Sequence, residues 1–200
     1  MKRAFDFLIA IFAFFPFAPL LVLIALLIKL DSPGPIIFKQ KRAGLKGKKF
    51  YIYKFRSMIK DAEEMKENYE RLNEADGPVF KIKNDPRFTR VGKFLAQTGF
   101  DELPQFFNVL KGQMSLVGPR PLPVYETKRL KSWQKKRLLV LPGMTSPWII
   151  NGGHKLTFNE WMRSDIEYLK TKTLIGDIKI LLKTAFLVFQ NFLLTKDFDQ

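Results

Sequence analysis

The sequence predicts an α+β protein with an N-terminal membrane helix, residues 1–30, followed by one compact domain, residues 31–200. Three observations predict it. Residues 7–28 hold no charged side chain, residues 36–58 form two strand-like runs around a Gly-containing turn, and later segments repeat apolar residues at helical spacing. Because hydrophobic residues make up 46% of the chain, including 20 Phe, intrinsic disorder is excluded. The expected domain is a small β-hairpin with several amphipathic, interfacial helices.

The charge of the chain is strongly positive, since 34 Lys and Arg residues stand against 19 Asp and Glu residues, a net +15. This balance favours an anionic partner and leaves open whether it is nucleic acid, a phosphorylated substrate or lipid headgroups. The lack of Cys excludes disulfides, Cys nucleophiles and Cys-ligated metals, and the single His154 argues against His-based triads and metal sites. An enzyme of this composition would use carboxylates, Lys, Arg, hydroxyls or a hard metal ion.

The apolar segment from Phe7 to Ile28 has 22 residues, about 33 Å as a helix, enough for a hydrocarbon core of about 30 Å. A signal peptide fits poorly because no small-residue cleavage site follows. Pro16 and Pro19 interrupt its middle, and each removes a helical hydrogen bond. The segment is therefore either a re-entrant helix, hinged at these prolines, or a single kinked span.

Basic residues flank the apolar segment on both sides, with Lys2 and Arg3 before it and a run beginning at Lys29 after it. Since positive charge prefers the cytoplasmic side, charges at both ends favour the re-entrant alternative. Residues 32–60 contain nine Lys or Arg and no acid. Beside a membrane segment, such a run indicates contact with anionic headgroups or a phosphorylated substrate.

Three further segments have helical patterns. Residues 58–75 are highly charged and predict an exposed helix, and residues 90–96 predict a short amphipathic one. Residues 174–194 place one apolar stripe at helical spacing, with Asp177, Lys179, Lys183 and Thr184 elsewhere. The stripe consists of Ile178, Leu181, Leu182, Ala185, Val188, Phe189 and Phe192. This last helix either covers the core or lies in the membrane interface, and its Phe content favours the interface.

Candidate chemistry lies between residues 98 and 121. Residues 98–112 predict one short helix with Asp101 as its N-cap, Pro104 as its third residue and Gly112 at its end. Asp101 and Glu102 would then lie at a helix N-terminus, where the dipole favours anions. Simple capping explains such a pair, but adjacent carboxylates can also supply a nucleophile and hold a divalent metal.

A rigid basic loop follows the carboxylate pair. Arg120 lies between Pro119 and Pro121, so its backbone is restricted and its guanidinium suits bidentate contact with phosphate. A purely structural loop would not need the Arg.

Four motifs together resemble the bacterial monotopic phosphoglycosyl transferases, which start exopolysaccharide, capsule, O-antigen and glycoprotein glycan assembly. The motifs are YKFRSM ending at Met58, DGPVFKIKNDPRFTRVGKFL (76–95), FDELPQFFNVLKG (100–112) and SLVGPRP (115–121). The likeness continues from the Phe-Asp-Phe at residue 5 through the anchor to DIKILLKTA at 177–185. The chain is similar to the minimal catalytic form of this family.

The resemblance implies a two-step reaction. Asp101 attacks the sugar-linked phosphate of a UDP-sugar, UMP leaves, and undecaprenyl phosphate then takes the sugar phosphate from the aspartate. Glu102, with Asp101, is the expected ligand of Mg²⁺, and Arg120 binds substrate phosphate or nucleotide. Lys54, Arg56 and Arg90 in the first two motifs are further candidates for substrate binding.

The resemblance also implies a re-entrant helix, membrane lipids as partners and a bacterial inner membrane location, with the catalytic domain facing the cytoplasm. The family breaks that helix at a Ser-Pro pair, whereas this chain has Ala18-Pro19 with Pro16 as a second break. Nucleic acid is not an expected partner. The oligomeric state stays open, with a homodimer as one option.

Several positions depart from the family pattern. Ala96, Leu141 and Gly153 stand where the family has basic residues, Gly99 replaces a Ser and Gln113 an Asp. Because the carboxylate pair and the Pro-Arg-Pro loop are present, we expect altered sugar or nucleotide recognition. The alternatives are a weakened or regulatory homologue and a membrane-tethered basic binding or scaffold protein without catalysis.

Overall fold

The computed structural model describes residues 2–194, apart from the side chain of His154. Its α-helices are α1 (Lys2–Asp31), α2 (Arg90–Thr98), α3 (Phe106–Leu110), α4 (Val124–Lys128), α5 (Pro147–Ile150), α6 (Phe158–Thr171) and α7 (Leu174–Leu194). Its strands are β1 (Ile37–Ala43), β2 (Lys49–Phe55), β3 (Ser115–Val117) and β4 (Gly143–Thr145). Short 3₁₀ helices occupy Leu45–Gly47, Glu64–Leu72, Phe100–Gln105, Gln134–Leu139 and Gly153–Lys155. Helices with little sheet confirm the α+β class.

Helix α1 is continuous through Pro16 and Pro19, and by length and composition it could cross a membrane. Much of its apolar surface faces outward, with Phe12 and Phe15 each 71% exposed. In water this exposure would be unfavourable, so the surface suits a lipid environment. That the helix turns back at the prolines stays a prediction.

Both ends of α1 are bonded to consecutive elements of the rest of the chain. Near its start, Arg3 Nη2 donates to the carbonyl of Val109 (2.6 Å) in the last turn of α3, where a cation is favourable. At its end, Asp31 Oδ2 accepts from the Val91 amide (3.1 Å) in the first turn of α2. Gly99 and the 3₁₀ helix Phe100–Gln105 separate α2 from α3, so α1 is attached near its two ends to two successive α-helices of the chain.

Buried polar contacts join the starts of α1 and α7. Lys2 Nζ is hydrogen-bonded to Asp177 Oδ2, and Tyr168 of α6 donates to Asp177 Oδ1 (2.7 Å). One helical turn later, Asp6 accepts from the Ser115 hydroxyl of β3 (2.7 Å). Asp6 and Asp177 are each 1% exposed. Buried carboxylates need such partners, so α1 completes the interior around β3 and α7.

Strands β1 and β2 form the predicted antiparallel hairpin, with Ile37 opposite Phe55 and Ala43 opposite Lys49. Its turn contains Lys46 and Gly47, both with positive φ. Side chains alternate across the hairpin because successive strand residues point to opposite faces. The hairpin therefore has one face that packs into the core.

Three groups of buried apolar side chains form the interior. The first joins α1, β2, α3, β3, α6 and α7, the second lies around α5 and α6, and the third lies under the end of α1. Their buried members are, in that order, Ala10, Phe50, Ile52, Val109, Met114, Leu116, Val117, Tyr168 and Ile180; Leu122, Leu130, Trp148, Phe158, Trp161 and Met162; and Ile24, Ile28, Phe55 and Leu95.

Strands β3 and β4 form a short parallel pair, which continues as a close approach of two glycines. The Gly118 amide donates to the Thr145 carbonyl (2.9 Å), and the Gly143 amide donates to the Pro119 carbonyl (3.0 Å). A Cβ on Gly143 would lie 2.0 Å from the Gly118 nitrogen. Since real Cβ atoms do not approach a backbone atom so closely, this packing requires glycine.

The prediction of an exposed helix over residues 58–75 is wrong in part. The segment forms turns followed by a 3₁₀ helix, Glu64–Leu72, with no fully buried side chain. Helical stability in proteins comes mainly from packing an apolar face. This segment has little apolar surface to pack, which explains why it does not form a regular α-helix.

Helix α7 has the predicted bounds, and much of its predicted apolar stripe faces outward rather than into the core. Asp177 and Ile180 are buried, and Thr184 is hydrogen-bonded to Thr145 of β4 (2.6 Å). Leu182 and Phe189 of the predicted stripe are exposed instead, 68% and 57%. The interior supplies partners for the polar side chains, so the helix turns them inward and leaves an outer apolar face. That face consists of Ile175, Ile178, Leu182, Phe186, Phe189 and Leu193.

The contact between the two glycines predicts a position-specific loss of stability. Gly143→Ala should lower the free energy of unfolding by about 1–3 kcal/mol or more, because the backbone of Gly118 must move. Chemical denaturation measures this. Gly153→Asn is the control, since Gly153 faces open space at φ +53°, a conformation that Asn tolerates. An equal loss of unfolding free energy in the two variants would contradict the close contact between Gly143 and Gly118.

Candidate active site

Asp101 and Glu102 lie in the first turn of the 3₁₀ helix Phe100–Gln105, which leads directly into α3. The prediction that Asp101 is an N-cap is wrong. Gly99 holds the N-cap position with φ +79°, and the Glu102 amide donates to its carbonyl (3.1 Å). Because Gly99 adopts this left-handed conformation, the helix begins earlier than predicted. The Asp101 carboxylate is therefore free for other contacts although it is buried.

Lys54 of β2 lies between the two carboxylates. Its Nζ donates to Asp101 Oδ2 (3.1 Å) and to Glu102 Oε1 (2.7 Å). Arg120 donates from Nη2 to the same Glu102 oxygen (2.7 Å). Two anions and two cations thus alternate in a half-buried cluster, and all four residues are among the site residues predicted from the sequence.

The carboxylate pair is placed opposite Lys54 by the side chain of Asn108. Asn108 Oδ1 accepts from the Tyr53 amide (3.0 Å), and its Nδ2 donates to the Tyr51 carbonyl (2.7 Å). The amide therefore pairs with the edge of β2 as a neighbouring strand would. The sequence pattern did not predict a role for Asn108. The available signal was a polar residue between Phe107 and Leu110 of the apolar stripe.

Two arginines that the sequence motifs did not predict as site residues bond the Pro-Arg-Pro loop. Arg42 of β1 donates from Nη1 to the Pro121 carbonyl (2.8 Å). Arg137 donates from Nη2 to the Arg120 carbonyl (2.7 Å). With Pro119 restricting the chain before Arg120, the loop is fixed on both sides of that residue.

The two carboxylates have opposite pKa shifts. Burial raises the pKa of Asp101, and the neighbouring Glu102 adds to that rise against the opposing charge of Lys54. Burial also acts to raise the pKa of Glu102, but Arg120 and Lys54 together outweigh it and lower that pKa well below its usual range. Environments that separate the pKa values of two adjacent acids are typical of sites where the acids have different roles.

The structure does not bring Arg56 to the carboxylate pair. Its guanidinium bonds the carbonyls of Pro33 (2.8 Å) and Ser32 (2.7 Å), where the chain leaves α1. Arg90 is exposed at the first residue of α2, next to the Val91 amide that binds Asp31. It lies at the opposite end of α2 from Gly99. Both residues therefore lie on the α1 side of the fold.

The donor set for a metal consists of Asp101 and Glu102. No group of three metal-binding side chains occurs in residues 2–194 as described. Mg²⁺ is commonly held by one or two carboxylates together with substrate phosphates and water. The hydrogen bonds described at the pair end on Asp101 Oδ2 and Glu102 Oε1, so the remaining oxygens fit such a role.

The chain as a whole matches one known protein family. The model of the family described as bacterial sugar transferase matches residues 1–191. The chain belongs to the bacterial sugar transferase family. This confirms the resemblance drawn from the four motifs.

Several curated relatives cover most of the chain. It is 48% identical to the galactosyl transferase CpsE of Streptococcus agalactiae over 76% of this chain and 34% of that protein. It is 40% identical to the undecaprenyl-phosphate galactose phosphotransferase of Salmonella typhimurium over 95% of this chain and 40% of that protein. The exopolysaccharide production protein ExoY of Rhizobium meliloti is 36% identical over 92% of this chain and 83% of its own length. The chain thus spans 34–40% of the first two relatives.

The charge cluster predicts how the carboxylates titrate. Lys54→Met should raise the pKa values of both Asp101 and Glu102, because each loses a bonded cation. NMR titration of ¹³C-labelled carboxyl groups measures this. Lys49→Met is the matched control, since Lys49 lies exposed on the same strand and makes no described contact with the pair. Unchanged pKa values in the Lys54 variant, or equal pKa shifts in both variants, would contradict the contacts of Lys54 with Asp101 and Glu102.

Proposed function

We propose that the chain transfers a sugar 1-phosphate from a UDP-sugar to undecaprenyl phosphate and releases UMP. This would be the first membrane step of exopolysaccharide, capsule, O-antigen or glycoprotein glycan assembly. The observation that carries the proposal is the buried Asp101, bonded to Lys54 and adjacent to the Glu102–Arg120 pair, in a chain of this family. Relatives named undecaprenyl-phosphate galactose phosphotransferase and UDP-glucose:undecaprenyl-phosphate glucose-1-phosphate transferase support it.

In the first step, a carboxylate oxygen of Asp101 attacks the phosphorus of the sugar-linked phosphate. The bond from that phosphorus to the bridging oxygen breaks, and UMP leaves with the electron pair. The product is a sugar phosphate on Asp101. A carboxylate with a raised pKa is a better nucleophile when ionised, and Lys54 beside it favours that ionised state.

In the second step, an oxygen of undecaprenyl phosphate attacks the same phosphorus. The bond between phosphorus and Asp101 breaks, the carboxylate is regenerated, and the lipid holds the sugar through a diphosphate. Each step transfers the phosphoryl group without a water molecule. The half-buried position of the pair supports this, because water that reached the intermediate would hydrolyse it.

Lys54 and Arg120 have the charge and position to bind the diphosphate. Since Arg120 now bonds Glu102, phosphate binding exchanges one anionic partner of the guanidinium for another. Arg120 and Lys54 lower the pKa of Glu102, so Glu102 is ionised before the diphosphate binds, and Lys54 also bonds it. Asp101 and Glu102 would hold Mg²⁺, which supplies further neutralisation of the diphosphate when bound.

We also propose that α1 is re-entrant and that the site faces the cytoplasmic side of the inner membrane. The acceptor lipid can raise its phosphate only to about headgroup depth, so Asp101 must lie near the membrane plane. Attachment near both ends of α1 to neighbouring helices supports a segment that leaves the bilayer on the side it entered. The outer apolar face of α7 would be the second contact with the interface.

Loss of the nucleophile gives the central test. Asp101→Asn keeps the shape of the side chain but removes its anion, so UMP release should fall by several orders of magnitude. The measurement is UMP release from a panel of UDP-sugars with a C55 polyprenyl phosphate and Mg²⁺. Mass spectrometry of the wild-type protein without acceptor should find a sugar-phosphate adduct on Asp101.

The matched control is Asp61→Asn, which removes one charge at an exposed loop position and should leave turnover unchanged. An active Asp101→Asn variant would refute the covalent mechanism. If no UDP-sugar supports UMP release by the wild-type protein, a membrane-tethered binding or scaffold protein becomes the better explanation.

The topology can be tested with single cysteines, because the chain contains none. A Cys at exposed position Ala4 and one at exposed Lys135 should both be protected from an impermeant thiol reagent added outside sealed cells. Replacing Pro16 and Pro19 with Leu should straighten the segment and expose the Ala4→Cys position. Outside labelling at this position with both prolines present would instead indicate a spanning helix.

A further inference from the structure

A buried ion pair lies behind the Pro-Arg-Pro loop. Arg137 and Asp165 are 3% and 0% exposed. Arg137 donates from Nε to Asp165 Oδ2 (2.8 Å), and its Nη2 lies 2.6 Å from the same oxygen. Its guanidinium lies 5.5 Å from the Trp161 ring centre. Asp165 is fixed in the 14-residue helix α6. The guanidinium of Arg137 therefore has one well-defined position.

The same Nη2 atom of Arg137 also donates to the Arg120 carbonyl (2.7 Å). Arg120 in turn donates to Glu102 (2.7 Å). One continuous series of contacts thus runs from α6 through the backbone of Arg120 to the carboxylate pair.

We propose that Arg137, held by Asp165, is a positioning residue that directs the Arg120 guanidinium into the site and so sets the affinity for the substrate diphosphate. This inference rests on the proposed transferase function for the identity of the ligand. The contact geometry itself does not depend on that function.

Other contacts already hold the loop in place on both sides. The Gly118 amide bonds the Thr145 carbonyl, and the Ala43 amide bonds the Leu122 carbonyl. Among the described residues, Arg137 alone bonds the carbonyl of Arg120 itself. Removing Arg137 should therefore leave the loop folded while freeing the peptide group from which the Arg120 side chain extends.

Stability alone does not explain the pair. The cost of removing two charges from water roughly offsets their attraction, and apolar side chains of similar volume often replace a buried pair without loss. Removing one partner, by contrast, leaves an uncompensated buried charge. The test variant should accordingly change both residues together.

The experiment compares two double variants. Arg137→Met with Asp165→Leu removes the pair at the loop. Arg87→Met with Asp85→Leu is the matched control, because Arg87 forms a buried pair with Asp85 (2.6 Å) and also donates to a backbone carbonyl, that of Ala62 (2.8 Å). The control carbonyl lies outside the carboxylate cluster.

The Arg137 double variant should raise KM for the UDP-sugar at least about tenfold, since small displacements of a positioning group have effects of this size. Its kcat for UMP release should change much less, and the control should leave KM unchanged. In an Arg120→Ala background the Arg137 effect should largely disappear, because coupled residues are not additive. If the double variant does not fold, Arg137→Lys is used in its place. It keeps the charge but lacks the planar guanidinium that bonds both Asp165 and the Arg120 carbonyl.

A readout without turnover separates this inference from the proposed function. Because Arg137 bonds the Arg120 carbonyl and Arg120 bonds Glu102, NMR of ¹⁵N-labelled arginine side chains should show a changed Arg120 guanidinium signal in the Arg137 double variant. Failure of the proposed function would appear as a wild-type protein without UMP release. An unchanged Arg120 guanidinium signal, an unchanged KM, an equal change in the control, or a full effect in the Arg120→Ala background would each overturn the positioning role.

Discussion

The hydrogen bonds of the Asn108 side chain to the edge of β2 determine where the candidate active site forms. They attach the short helix that holds Asp101 and Glu102 to the strand that holds Lys54. A side-chain amide can satisfy a backbone amide and a carbonyl at once, so one residue replaces a strand pairing at this edge. Because Asn108 is fully buried, the bonds form without competition from water and the register between helix and strand is fixed.

From this register follows the electrostatic character of the site. Lys54 contacts both carboxylates, while Arg120 contacts Glu102 alone. The unequal sharing of cations lowers the pKa of Glu102 and leaves that of Asp101 raised by burial. Two adjacent acids of similar intrinsic strength thereby become chemically different groups. The difference between the two pKa values arises from the positions of Lys54 and Arg120 and not from the acids themselves.

Local pattern predicted the local structure well, including the hairpin of β1 and β2, α2 and the bounds of α7. It did not predict which face of α7 is buried, because the partners of Asp177 and Thr184 are far away in sequence. The motif resemblance brought together Asp101, Glu102, Lys54 and Arg120 but also included Arg56, which binds the chain after α1. Neither Asn108 nor Arg137 was predicted from the sequence. The reason is the same for both, because each acts through a contact to a backbone group that is distant in sequence.

The buried contacts between Lys2, Asp6 and the rest of the chain make the apolar helix α1 part of the folded core. Asp177 is bonded to Lys2, and Ser115 to Asp6, only when the start of α1 is in place. A version of the chain cut after α1 would leave Asp177 without its lysine in an apolar interior, and it would also uncover the side chains that Ala10, Ile24 and Ile28 now cover. Helix α1 is thus a structural component of the fold, and its deletion should destabilise the rest of the chain.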